Sequence, residues 1–459
     1  MADKIQLELS WDKSELKSHT INYDSVIKRI RNIPNPYVGN KKKLLLFMGR
    51  VIEKYNLKFG SFLDAFSGSS VVGLFMKGMG KKVLSNDVLA SAYFHAVALV
   101  ENNGVKLSEE DIHYLINNVN PNRSNFIQNN WTSLGKTALS NRFTKKEAIQ
   151  LDNLRANIRD LSNLVAQGIG LTASSLVCMR LPFGFADRSL DIYNHRRKQV
   201  EKYGKGREGS ERRIGLYYDD NLDLNFKEWF PKYVRSIQKN QTDEQLNSYN
   251  VKMAHAWMIH GVQSIIFKNK TFSGGRWNSG QVLRNADDRI ENFGPLEFTE
   301  KEFQNITFTN LTELSNEPCI ATNCDIIDLL QSGFIDVDCA YFDPPYGGAS
   351  SDYGSLYRFF EEFIYEDTVK NLPHFEKSLK RFSNNKTYEE NFVEMLDSAR
   401  HIPIWILSCN DSSWMGLEYI VKTIKKFRKN VTVDSVLYNY NYRDKKKKVK
   451  ENEHLIVAR

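Results

Sequence analysis

Short apolar runs, each ending in a polar or acidic residue and separated by stretches of helical periodicity, restrict the fold of this chain more than any other feature. Ser61-Phe62-Leu63-Asp64 reads as a buried strand, followed by a small-residue turn, Ser67-Gly68-Ser69-Ser70, and a helix over 71–79. Lys82-Val83-Leu84-Ser85 is the next strand, ending at Asn86-Asp87, with a further helix from about Leu89. Upstream, Leu44, Met48, Val51, Ile52 and Tyr55 recur at helical spacing and present one apolar face. The rhythm stops between residues 104 and 317, where the chain is polar, Asn-rich and irregular. It resumes with strands at 318–322 and 337–342, a helix near Asp325, a strand at 404–408, a helix over 414–427 and a strand at 431–437. The last apolar run, 454–458, pairs back on that strand as a hairpin. Such alternation predicts an α/β fold, a mostly parallel sheet with helices on both faces, split by one insertion. The expected parts are an N-terminal extension (1–33), one domain made of 34–103 and 318–459, and an inserted unit at 104–317.

Composition narrows the function classes. The formal net charge is +8, with 63 basic against 55 acidic residues, which permits an anionic partner without requiring one. No apolar run reaches the ~18 residues of a membrane span, and the opening Met1-Ala2-Asp3-Lys4 does not resemble a secretory signal, so a cytoplasmic, non-membrane protein is expected. Cys178, Cys319, Cys324, Cys339 and Cys409 have no zinc-site spacing and read as thiols in a reducing compartment. No phosphate-loop pattern is present, which argues against a nucleotide triphosphatase.

The strongest chemical signal is Asp343-Pro344-Pro345-Tyr346, directly after an apolar strand. Ligands of parallel α/β sheets bind beyond the carboxyl ends of strands, where this loop falls. Consecutive prolines have fixed φ and no N–H, leaving rigid carbonyls that only accept. An aspartate, a fixed carbonyl and an aromatic ring suit a planar substrate bearing an NH2 group: Asp343 and the Pro344 carbonyl each accept one amine hydrogen, and Tyr346 stacks on the ring. As a lone tetrapeptide, a strand-ending turn is an equally good reading; its company decides. Asp64 to Gly68 forms a strand–turn–helix corner that brings backbone N–H groups close to a ligand. Asp87 ends the next strand, about 20 residues past that corner, where nucleoside-binding folds take a ribose hydroxyl pair.

These segments, with Pro36-Tyr37-Val38-Gly39-Asn40-Lys41 before them, resemble the Dam-like class of bacterial and phage adenine-specific (N6) DNA methyltransferases, in that family's order. The resemblance covers roughly 34–103 and 318–459. It implies an S-adenosylmethionine-dependent methyltransferase-type sheet interrupted by a target-recognition insertion. It also implies methyl transfer to the exocyclic amine of adenine in double-stranded DNA, with the base flipped out. By resemblance Tyr37, Lys41, Asp64, Phe66 and Gly68 line the cofactor pocket, Asp87 holds its ribose, Asp343 borders it, and Asp325 contacts its adenine. Catalysis falls to Asp343, Pro344 and Tyr346, and no metal is needed. A companion restriction endonuclease is the usual functional context. Where the family's turn has a second glycine this chain has Ser70: its Cβ crowds the methionine moiety, its hydroxyl donates a hydrogen bond, or it caps the helix, the last being favoured for so small a residue.

The insertion is expected to read DNA. Between 195 and 213 it holds eight Lys or Arg and three Glu. Phosphate contacts by Arg196, Arg197 and Lys198, or a solvated basic loop, account for this equally well. Arg276 and Arg284, among Gly, Asn and Gln, suit base edges. Two other functions fit the same loop: methylation of RNA adenine or of the cytosine N4 amine, and a catalytically weak, cofactor-binding DNA-recognition protein.

Overall fold

The computed structural model describes residues 23–31, 41–132, 134, 143–180, 318–346, 353–372, 378–379, 381–382, 387–439 and 450–459. Its first half runs α1 (Tyr23–Arg31), α2 (Leu45–Lys54), β1 (Ser61–Asp64), α3 (Val71–Gly78), β2 (Lys82–Asn86) and α4 (Ala90–Ala96). Beyond α4 a π turn, Val97–Glu101, leads to α5 (Glu109–Asn117), α6 (Phe126–Asn130), α7 (Lys145–Asp160) and α8 (Leu164–Arg180). Past the insertion come β3 (Ile320–Thr322), α9 (Ile326–Gln331), β4 (Cys339–Phe342), α10 (Tyr353–Tyr365) and α11 (Tyr388–Ser398). The chain closes with β5 (Ile404–Asn410), α12 (Leu417–Ile424), β6 (Val431–Asn439) and β7 (Lys450–Ala458).

The strands form one sheet in the order β3-β2-β1-β4-β5-β7-β6. The first five are mutually parallel; β7 lies antiparallel between β5 and β6, and β6 with β7 is the expected hairpin. This is the mostly parallel α/β sheet that the alternating pattern predicts.

Burial on both faces follows a period of two. Phe62, Cys339, Tyr341 and Ile406 point into one hydrophobic layer with α1, α2, α3 and α4. Leu63, Ala340, Phe342, Trp405 and Leu407 point into the other with α9, α11 and α12. Complete burial of residues such as Phe62, Phe342 and Trp405 contributes about 1.5–3 kcal/mol each over exposure.

The core reaches further along the chain than the expected boundaries. Tyr23, Val26, Ile27 and Ile30 of α1, inside the supposed extension, are buried in the first layer. So are Ile112, Leu115, Ile127, Leu151, Leu154, Ile158 and Ile169 of α5–α8, inside the supposed insertion. Capping boxes at Ser108/Asp111 and Thr144/Glu147 start α5 and α7. The helix expected over 414–427 begins only at Leu417, because Gly416 sits at φ +69° and cannot continue a right-handed turn.

Leaving β1 the chain moves toward β2 and β3, and it then returns to lay β4 on β1's other side. This topological switch opens a crevice at the carboxyl ends of β1 and β4, where α/β sheets bind ligands. Asp64 ends β1, and Asp343 directly follows β4.

Candidate active site

The glycine corner is held by the backbone of three strands. Asn86 donates to the carbonyls of Ala65 and Cys324 and accepts from Thr322 and Cys324, tying together the ends of β1, β2 and β3. Gly68, at φ +46°, donates its N–H to Asp87 Oδ2 at 2.8 Å, while Leu89 N–H reaches Oδ1 at 2.9 Å. Both Asp87 oxygens keep a lone pair for a further donor. Burial raises this carboxyl to about 6 against the three backbone N–H groups that lower it. Asp64, 1% exposed, accepts from Gly73 N–H through Oδ2, and burial drives it up to about 8, with Asp343 and Asp87 adding to the rise.

Three buried polar atoms here, Asp64 Oδ1, Ser67 Oγ and Ser70 Oγ, have no hydrogen-bond partner among the described residues. Unpaired buried groups are costly and are expected where a polar ligand completes the site. With Asp87 beside them they fit a nucleoside-bearing ligand that has an amino-acid end.

Ser70 departs from its favoured reading. It occupies the N-cap position of α3 but makes no side-chain cap, because its backbone is left-handed at φ +59° and directs the hydroxyl away from the first free N–H groups. A side chain there costs about 1 kcal/mol, which glycine avoids. Ser70→Gly is therefore expected to raise stability by up to about 1 kcal/mol in urea unfolding. A loss of stability would show that its hydroxyl has a structural role.

The catalytic loop is built from outside itself. Tyr388 donates its hydroxyl to the Pro345 carbonyl at 2.6 Å, and Trp414 N–H holds the Tyr346 carbonyl at 2.9 Å. Among the described residues, the Pro344 carbonyl and Asp343 Oδ2 take no hydrogen-bond donor. These are two free acceptors on adjacent residues of a rigid turn. Phe66 packs edge-on against Phe382, which packs on Tyr388, so the glycine corner and the loop share one aromatic support.

Lys41 joins the two halves. Its ammonium is 3.1 Å from Asp343 Oδ1, donates to the Tyr346 hydroxyl at 2.7 Å and lies 4.8 Å from that ring's centroid. Tyr346 donates in turn to Asp343 Oδ1 at 2.9 Å; Ser408 Oγ is 3.1 Å from the same hydroxyl and Glu453 Oε2 3.5 Å. Burial alone would lower the Lys41 pKa, yet Asp343, Tyr346 and Glu453 hold it well above the usual lysine value.

Of the residues singled out in the sequence, Lys41, Asp64, Asp87, Asp343, Pro344 and Tyr346 meet at the crevice, with Phe66 and Gly68 at its corner. Asp325 caps α9 by accepting from Ile327 N–H and pairs with Arg381 at 3.1 Å. Tyr37, Arg196, Arg197, Lys198, Arg276 and Arg284 lie outside the described residues. Glu453, Ser408 and Tyr388 went unnoticed in the sequence. They come from distant strands and a helix, and only Glu453, at the head of the last apolar run, carried any local signal.

Comparison with known proteins agrees with this arrangement. The D12 class N6 adenine-specific DNA methyltransferase family matches residues 37–176. The chain is 22% identical to the Type II methyltransferase M2.HphI of Haemophilus parahaemolyticus over 423 residues, spanning 92% of this chain and 96% of that protein. It is 30% identical to Modification methylase LlaI of Lactococcus lactis subsp. lactis over 134 residues, 27% of this chain and 21% of that one. With the sheet order, the glycine corner and the strand-ending Asp-Pro-Pro-Tyr loop, these matches make the chain similar to the N6 adenine-specific DNA methyltransferases, with the family's own match spanning residues 37–176.

Proposed function

We propose that Asp343 Oδ2 and the Pro344 carbonyl accept the two hydrogens of an adenine amine flipped out of duplex DNA, and that the methyl donor is S-adenosylmethionine. The observation that carries this reading is the pair of acceptors left free among the described residues, in a loop whose Pro345 and Tyr346 carbonyls are already occupied. The activity is site-specific methylation of adenine in DNA, as its family and relatives indicate.

The donor supplies a methyl group activated on a sulfonium. An aromatic amine is a weak nucleophile because its lone pair is delocalised into the ring. Acceptors on both hydrogens favour a pyramidal nitrogen and offset the positive charge that develops there. Holding the nitrogen in line with the methyl supplies much of the remaining acceleration. Bond formation to the nitrogen would be balanced by cleavage of the donor's C–S bond, and Asp343 would be the adjacent acceptor for the proton that the amine gives up. In a duplex one hydrogen of this amine is paired to the opposite thymine and the ring is stacked, so flipping precedes reaction, with Tyr346 as the stacking surface on the ring face away from Lys41. Asp64 and the unpartnered serines suit the amino-acid end of the donor, Asp87 its ribose, and Phe66 the adenine. Sequencing DNA from cells that express the chain tests the whole reading: N6-methyladenine at one recurrent sequence is expected, and its absence would sink it.

Asp87→Ala is expected to weaken donor binding by about 1–3 kcal/mol in calorimetry, the scale for a hydrogen bond to a charged group. Wild-type affinity would remove Asp87 from the pocket.

Recognition of the target sequence is assigned to the segment between α8 and β3, with a companion restriction endonuclease as its cellular context. Replacing Arg196, Arg197 and Lys198 by alanine should weaken binding to all DNA sequences and flatten the dependence of log K on log salt by roughly 0.9 per lost phosphate contact. An unchanged slope would mean that these side chains are only solvated.

A further inference from the structure

Among the described residues, the Tyr346 hydroxyl meets one cation, Lys41, and two carboxyl groups, Asp343 and Glu453, and the second carboxyl has no part in the proposed methyl transfer. Glu453 is 2% exposed, on β7, opposite Asn410 at the carboxyl end of β5 and on the same face as Ser408. Its Oε2 is 3.5 Å from the Tyr346 hydroxyl, which itself contacts Asp343 and Lys41. The link is long for a direct hydrogen bond, as contacts in unliganded active sites often are.

Charge counting shows why the second carboxyl matters. Lys41 and Asp343 alone form a neutral pair, and a carboxylate matched to a fixed cation has little net field left for an amine that becomes positive. A second anion beside the Tyr346 hydroxyl leaves this group of charges with a net negative charge. We propose that Glu453 is a positioning residue of the methylation site: as a carboxylate it balances Lys41 and competes with Asp343 for the one hydrogen of the Tyr346 hydroxyl, so that the charge of Asp343 remains available to the adenine amine. This rests on the assignment of Asp343 to that amine.

The surroundings make the balance sensitive to pH. Glu453 faces Lys41 from the turn before α2, Asp343 and Tyr346 from the loop after β4, and Cys409 and Asp411 from β5 and its end, while its partner on β6 is the apolar Val436. Burial raises Glu453 to about 7, with Lys41 acting against the rise and Asp343 adding to it. A carboxyl with a raised pKa gains its charge as pH rises through that value, so the site becomes fully anionic above neutrality.

The test is the single-turnover rate of methyl transfer to DNA between pH 6 and 9, with donor and DNA saturating, for wild type and Glu453→Gln. The wild-type rate is expected to rise through about pH 7, and the variant to lack that rise. At pH 8.5 the variant should be about 10- to 100-fold slower, the scale of one unit charge several ångströms away at an effective dielectric near 20. The gap should narrow as pH falls, while DNA affinity stays unchanged. Asp64, which titrates near 8, is present in both proteins, so the difference between the two profiles isolates Glu453. A variant with the wild-type profile, or one slowed equally at every pH, would overturn the proposal. If the variant does not fold, a wild-type profile flat through pH 7 overturns it equally. Should Glu453→Gln behave as wild type while Asp343→Ala is inactive, only this inference fails; an active Asp343→Ala removes the active-site reading with it.

Discussion

Asp343→Ala should reduce the methylation rate at least ~100-fold, the usual cost of losing one electrostatic partner of a transition state. The substitution deletes the acceptor at Oδ2 but leaves both prolines in place. The loop should keep its shape, since Tyr388 and Trp414 hold it through the carbonyls of Pro345 and Tyr346 and not through the aspartate. DNA binding is expected to survive. The donor's affinity should shift only modestly, because Asp343 borders that pocket and does not fill it. The check is a filter assay with radiolabelled methyl donor, run beside a gel-shift titration. A normal rate would show that the loop is a turn without chemistry. Loss of DNA binding in step with activity would point to misfolding instead.

Lys41→Met is expected to produce the largest loss of stability, about 3–5 kcal/mol, the scale for removing one partner from a buried ion pair. The methionine fills most of the volume but leaves Asp343 and Glu453 facing each other without a cation. The sign of its pH dependence follows from the raised pKa of Glu453. A folded state that binds a proton which the unfolded chain has released is stabilised as pH falls from above that folded value toward the unfolded one near 4.5. Protonation at pH 6 removes one of the two repelling charges, so the defect should be smaller at pH 6 than at pH 8. Urea unfolding at the two pH values measures this directly. Equal losses at both would mean that Lys41 acts through packing and not through charge. Methylation should fall as well, because Tyr346 loses the ammonium that donates to its hydroxyl and lies over its ring.

What the sequence determined by itself is local. Short apolar runs, turn residues and polar or acidic strand ends mark β1, β2, β4 and β5 within a few residues, since local hydrophobicity and the dihedral limits of Gly and Pro act over short stretches. For the same reason Asp64, Asp87 and the Asp343-Pro344-Pro345-Tyr346 loop were legible: each is a motif at the end of its own strand. The extent of the core was not, because α1 and α7 are polar overall and their buried stripes show only against a partner surface, while α8, apolar and buried nearly all round, lies in a stretch whose surroundings are polar and irregular.

Backbone conformation at Ser70 was equally hidden. Serine is a common cap, and the sequence does not reveal that the corner drives this one to positive φ. Above all, tertiary structure alone decided the electrostatics. Lys41 reaches Tyr346 across 305 positions, and Glu453 is 107 positions from the hydroxyl it faces. Charges so far apart in the chain act on one another only after the sheet has brought them within a few ångströms and excluded the water that would screen them.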